Sequence, residues 1–134
     1  MGEGEDRPRE WRSLSDKRQF TKVYGEGVKL VGRLLVVYLL PAEDRAQAVV
    51  ASRKIGNAVR RNRAKRLLRE ALRHSSLRQP DGIQAVNKKY FPDREERRET
   101  RQQTPGLWVV VIARRPILAV KTEAVIQEIE RLLP

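Results

Sequence analysis

Residues 52–74 read SRKIGNAVRRNRAKRLLREALRH, and the reading of this stretch decides the fold. Nine of its residues are Lys or Arg and one, Glu70, is an acid, so it holds +8 of the chain's formal +12. Gly56 breaks the preceding segment, and Asn57 is a residue type whose side chain accepts an orphan N–H at a helix start. From Asn57 onward Ala64, Leu67, Leu68, Ala71 and Leu72 follow the spacing of a buried helical stripe. At 100° per residue, Asn62, Arg63, Arg66, Arg69 and Arg73 fall on the opposite face. One face is thus anchored to a core while the other presents a row of guanidinium groups, which suits a phosphate backbone. A merely solvated face interleaves acids to make i, i+4 pairs, and here only Glu70 is available. Uncompensated arginines at this spacing repel one another until an anion arrives. The helix is read as an anion-binding element, with a nucleic acid as the anion.

Composition sets limits around that helix. A chain of 134 residues with 40% hydrophobic content supports one domain with a modest core. There is no Cys, which excludes disulfides and thiolate metal sites and fits a cytoplasmic location. The longest apolar run, residues 34–40, is too short to cross a bilayer, so no membrane association is expected. The amino-terminal acids Glu3, Glu5, Asp6 and Glu10 are unlike the basic-then-apolar order of a signal peptide. A pI near 10.8 points to RNA, DNA or an acidic surface as partner. Arg outnumbers Lys 21 to 8, which favours bidentate phosphate contacts.

The rest of the chain is simply organised. Residues 1–11 are acidic, Gly-rich and aperiodic, and read as a disordered tail before a domain at 12–134. Ser15 is placed to cap a helix over about 16–26, with Phe20, Val23 and Tyr24 on one face. Residues 28–40 form one strand ending at Pro41, or a hairpin if Gly32 turns the chain. A polar turn at 43–45 precedes a strand at 48–53, and the basic helix follows. Residues 107–113 are a buried strand between Pro105-Gly106 and Pro116. Val125, Ile126, Ile129, Leu132 and Leu133 give a closing amphipathic helix, with Glu123 in its first turn and Arg131 in its last. The class is α+β: amino-terminal helix, small central β-sheet, basic helix, last strand, carboxy-terminal helix. Residues 77–105 are polar, contain Pro80 and Pro92, and read as a charged insertion, solvated and mobile. Ile83, Val86, Tyr90 and Phe91 within it have roughly helical spacing, which allows a short extra helix; Lys88, Lys89, Arg94, Arg97 and Arg98 would then offer further RNA contacts.

The string from Lys54 to Glu70, Lys-Ile-Gly-Asn-Ala-Val-Arg-Arg-Asn-Arg-Ala-Lys-Arg-Leu-Leu-Arg-Glu, closely resembles the "RNR" signature of the bacterial ribonuclease P protein subunit. Phe20, Tyr24 and Gly27 are similar to that family's first helix, and Tyr38 stands where the family places a strand aromatic. Val111-Ile112-Ala113-Arg114-Arg115-Pro116 looks like its last strand and exit. The resemblance covers about residues 12–76 and 106–133, and the insertion departs from it. It implies a left-handed βαβ crossover around the basic helix, against the right-handed default. It also implies that a catalytic RNA subunit with bound Mg²⁺ hydrolyses the phosphodiester that frees the 5′ leader of precursor tRNA. Carried over residue by residue, Arg60, Asn62, Arg63, Lys65, Arg66 and Arg69 would contact the RNA subunit, flanked by Arg53, Lys54, Asn57 and Arg61. Phe20, Tyr24 and Tyr38 would line a groove for the single-stranded leader, although i, i+4 aromatics are also common core residues.

The residues themselves offer no catalytic constellation. A metallonuclease needs carboxylates converging on Mg²⁺, and the strands here are nearly free of acids. Asp93, Glu95, Glu96 and Glu99 each stand near an Arg and read as surface pairs, and His74 is the only histidine. No catalytic residue and no protein metal site are therefore assigned. Two other readings remain open at this point. One is a basic ribosome-associated or RNA-chaperone module without a catalytic partner. The other, a DNA-binding recognition helix, needs a short partner helix before Asn57, where a β-rich stretch runs instead, so no DNA partner is expected.

Overall fold

The computed structural model describes residues 11–93 and 106–134. Five strands, β1 (Arg12–Ser13), β2 (Val28–Val31), β3 (Leu35–Ala42), β4 (Arg45–Val50) and β5 (Gly106–Ala113), form one mixed sheet in the order β1-β4-β5-β3-β2. Four helices accompany it among the described residues: α1 (Lys17–Glu26), α2 (Ala58–Arg73), α3 (Pro80–Tyr90) and α4 (Thr122–Leu132). β4 and β5 run parallel from Arg45↔Leu107 to Val50↔Ile112, so the chain between them, α2 and α3 included, is a βαβ crossover. β3 pairs antiparallel with both β5 and β2.

Strand alternation divides the apolar residues into two layers. Val37 and Leu39 of β3 and Val109 and Val111 of β5 pack with Ala64, Leu68 and Leu72 of α2, Ile83 of α3 and Ile129 of α4. The other face sets Leu40, Ala46 and Val110 against Leu14 and Val23, the latter on α1. β5 is central and covered on both faces, which is why it reads as an unbroken apolar run. Gly106 starts it because a side chain there would run into the Ala42 and Asp44 carbonyl oxygens.

Several local expectations change. α1 starts one residue later than Ser15 would allow: Asp16 is the cap, its Oδ1 accepting from Arg18 N–H at 2.8 Å. Residues 28–42 are a hairpin turned at residues 32–34, held by Gly32 N–H to Leu35 O at 2.9 Å and by the buried Glu128, which accepts from Leu34 N–H. β3 continues through Pro41 to Ala42, which is tolerated because β2 starts at Val28, opposite Leu39, and leaves β3 one neighbour beyond that point. β4 occupies 45–50 rather than 48–53, and residues 53–55 make a 3₁₀ turn capped by Ser52. The largest correction concerns the insertion. Its first part is packed structure, not a solvated loop: α3 buries Leu77's neighbours Ile83 and Val86 in the main core, and Asn87 donates to the Gly106 carbonyl. Two apolar residues at i, i+3 outweigh the polar composition around them. Residues 94–105, with Arg94, Arg97 and Arg98, lie outside the described residues, as do residues 1–10 of the expected tail. Trp11 does not belong to a disordered tail; it is half-buried and packed against the core.

The two-residue strand β1 is held by side chains as well as by its ladder with β4. Arg12 Nε donates to Asp44 Oδ2 while Trp108 Nε1 donates to Oδ1 at 2.8 Å, and the Arg12 guanidinium lies 5.6 Å from the Trp108 ring centre. The Arg12 hydrogen bond, outweighing partial burial, holds the Asp44 carboxyl below the ordinary aspartate value of 3.8. The folded-state pKa is the lower one. This contribution is therefore complete above the unfolded value and lost as pH falls through the folded one. Asp44→Asn should melt below wild type near neutral pH, and the gap should close as pH drops below 3.8. A melting series against pH checks this; a gap that persists unchanged in acid would assign the effect to packing.

Candidate nucleic-acid interface

α2 exists where the sequence places it. Asn57 caps it, Oδ1 accepting from Arg60 N–H at 3.0 Å, and Gly56 supplies the preceding bend at φ +139°. Ala64, Leu68, Ala71 and Leu72 are buried and Leu67 is half-buried, so the apolar stripe is the core face. Asn62, Arg63, Arg66, Arg69 and Arg73 are exposed on the other side, as are Arg60, Arg53 and Lys54, while Arg61 and Lys65 are half-buried at the margins. Glu70 is committed to Arg73 at 2.8 Å and to His74 at 3.2 Å. Arg60, Arg63, Arg66 and Arg69 make no ion pair among the described residues, so their charge faces solvent uncompensated. Asn57 differs from its neighbours: its side-chain Oδ1 serves the cap, while both N–H groups of Nδ2 are left for a ligand.

The aromatic residues come together on the opposite side of the sheet. Tyr38 projects to the α1 face while Val37 and Leu39 go into the main core at 1% and 0% exposure. The Tyr24 and Tyr38 rings meet edge-on at 4.9 Å, and Phe20 stands 6.1 Å from Tyr24. They are not closed core: Tyr24 is 41% exposed, and Phe20 and Tyr38 are half-buried. Burial and the Tyr38 phenol both raise the Tyr24 pKa above 10.0, so it presents a neutral ring. The floor beside the rings is apolar and open, with Ala48 and Val50 of β4 and Ile112 of β5 half-buried. Neutral rings over an apolar floor suit unpaired bases of any sequence.

Lys29 was not legible as part of this surface. It pairs with Tyr38 across the hairpin and its ammonium lies 5.9 Å from the Tyr38 ring centre. Reading Gly32 as a firm turn would have found it, because the register then puts residues 29 and 38 side by side on one face. A cleft of about 240 Å³ joins the two surfaces around the β4 edge, lined by Ser13, Leu14, Phe20, Gln47, Ala48, Val49 and Arg69. Phe20 belongs to the aromatic track and Arg69 to the basic helix. The ring track and the cation row are thus neighbours, not separate features.

A sequence profile of the family described as Ribonuclease P matches residues 9–88, more than half of the chain. This chain belongs to the ribonuclease P protein family. The ribonuclease P protein component of Coprothermobacter proteolyticus is 46% identical over 73 residues, 54% of this chain and 61% of that protein. That of Nitratiruptor sp. is 41% identical over 58 residues, 43% of this chain and 53% of that protein. The matched segments thus span between about half and three-fifths of these relatives' length. The RNase P protein from Thermotoga maritima superposes with a TM-score of 0.60 at 26% identity, covering 91% of this chain and 94% of that one. The Staphylococcus aureus RNase P protein, at 21% identity and a TM-score of 0.58 over 92% and 93%, shares the fold. The structural likeness thus covers about nine-tenths of the chain, a larger share than the residues 9–88 that the family profile matches. In this ribonuclease P family member α3 lies within the crossover between the parallel strands β4 and β5.

Proposed function

We propose that this protein is the RNA-binding subunit of ribonuclease P, an endoribonuclease in which RNA does the chemistry. The carrying observation is the joined surface, a base-stacking track on one side of the β4 edge and an uncompensated guanidinium row on the other. Arg60, Asn62, Arg63, Lys65, Arg66 and Arg69, with Arg53, Lys54, Asn57 and Arg61 around them, hold the catalytic RNA subunit. Phe20, Tyr24 and Tyr38 hold the 5′ leader of precursor tRNA. Mg²⁺ belongs to the RNA, which hydrolyses the phosphodiester at the mature 5′ end. The protein's part is electrostatic and positional: it screens phosphate repulsion and keeps the leader extended across the sheet. No helix among the described residues is long and apolar enough to cross a membrane, and a cytoplasmic location fits this work.

Phe20→Ala, Tyr24→Ala and Tyr38→Ala test the track, because each removes stacking surface and no charge. Each should weaken precursor tRNA binding to the reconstituted holoenzyme by about 1–3 kcal/mol per stacked base lost. Mature tRNA, and binding of the protein to the RNA subunit, should change little. A variant folded by circular dichroism that loses both substrates equally would assign the rings to the core. Sequencing the RNA that co-purifies with the protein tests the whole reading, since a ribosome-associated or chaperone module would bring down other RNAs.

A further inference from the structure

Beyond α2 the chain turns through residues 76–78, and Arg78 there belongs to neither surface described above. It is half-buried, with its guanidinium 5.4 Å from the Trp11 ring centre. Nη2 donates to Gln47 Oε1 at 3.1 Å and Nε to the Leu72 carbonyl at 3.3 Å. Both acceptors are neutral, and among the described residues no carboxylate pairs with Arg78. Three of its five N–H groups make no bond there. Burying a cation without a counter-ion is unfavourable. Burial, and then the neighbouring positive charge of Arg73, pull the Arg78 pKa below its ordinary value, although it remains a cation at neutral pH. Arg73 is itself tied to Glu70. The Trp11 ring face and the Leu72 carbonyl at the end of α2 both favour a cation, but neither is a full counter-ion, and three N–H groups are left over.

Gln47 supplies the connection. It accepts from Arg78 and also lines the cleft that holds Arg69 and Phe20. We propose that Arg78, held against Gln47 at the margin of that cleft, binds a phosphodiester of the precursor tRNA leader where the strand passes beyond Phe20. The inference rests on the functional reading above and adds a residue from outside the RNR helix. A single guanidinium can offer two N–H groups to one phosphate. The Trp11 stack and the Gln47 bond hold that of Arg78 in place before the strand arrives. The Phe20 ring on the cleft wall favours an unpaired strand over duplex RNA.

The test uses holoenzyme reconstituted with Arg78→Gln or Arg78→Lys and measures affinity for precursor and mature tRNA across a salt series. The precursor-over-mature ratio should fall roughly tenfold in Arg78→Gln, the scale of one charge-assisted contact. The slope of log affinity against log salt for precursor tRNA should become shallower by about 0.7, the value for one single-stranded phosphate. Arg78→Lys should recover part of both. The ratio is read on variants folded by circular dichroism and saturating the RNA subunit, because loss of folded protein would itself lower it. An unchanged ratio with a lowered melting temperature would make Arg78 structural and overturn the proposal. So would an equal loss of affinity for the RNA subunit, which would assign the phosphate to that RNA. Wild-type protein that bound neither RNA would remove the functional reading, and this inference with it.

Discussion

Freed of RNA, the protein should leave precursor tRNA uncut, and adding the RNA subunit should restore cleavage at the mature 5′ end. The acids that carry this expectation are already committed. Asp44 is held by Arg12 and Trp108, Glu70 by Arg73 and His74, Glu128 by Leu34 N–H and Arg131, and Glu130 by Ser76 N–H. No three His, Asp or Glu side chains converge among the described residues, whereas metal-assisted phosphodiester hydrolysis by protein needs such a set. With the RNA present, the protein should lower the Mg²⁺ concentration at which cleavage reaches half its maximum, because arginines replace part of the screening that Mg²⁺ supplies. Protein stripped of RNA that still cut at the mature 5′ end would sink the assignment.

Arg63→Ala combined with Arg66→Ala should weaken binding to the RNA subunit by about 100-fold at low salt, at roughly 1.5 kcal/mol or more for each charge-assisted contact. The slope of log affinity against log salt should flatten by nearly two, since each lost phosphate contact releases fewer counterions. Thermal stability should hold or rise slightly, because both side chains are exposed and neither makes an ion pair among the described residues. Leu68→Ala is the matching control. Leu68 is 0% exposed and should destabilise the fold by about 2–5 kcal/mol. Filter binding and calorimetry on the same preparations separate the outcomes. Arginine variants that bound normally but melted early would mean the two faces of α2 had been exchanged.

The two faces of α2 were legible without any structure because both follow from local geometry. The 3.6-residue repeat alone sorts Ala64, Leu68, Ala71 and Leu72 from Arg63, Arg66 and Arg69. The cap at Asn57 and the buried strand at β5 were legible for the same reason, since each depends on neighbours within a few residues. Boundaries set by competition were not. Asp16 displaced Ser15 as a cap, and β4 took the register offered by β5 rather than the one its own β-branched residues suggest.

In the insertion the helical spacing of Ile83 and Val86 was legible, but the polar composition around them gave no sign that both would be buried in the main core. The aromatic track was ambiguous for a deeper reason. Phe20 and Tyr24 at i, i+4 look like core in sequence, and only the meeting of α1 with Tyr38 leaves them half-open.

By itself, then, the sequence determined the chain's charge, the helix that carries most of it and the α+β order of elements, all of which are encoded within a turn or a strand's length. Tertiary structure alone decided that Lys29 stands beside Tyr38, that Arg78 leans on Trp11 and Gln47, and that Phe20 and Arg69 share one cleft. Those pairs join residues far apart in the chain through strand register and helix docking, and no local periodicity specifies either.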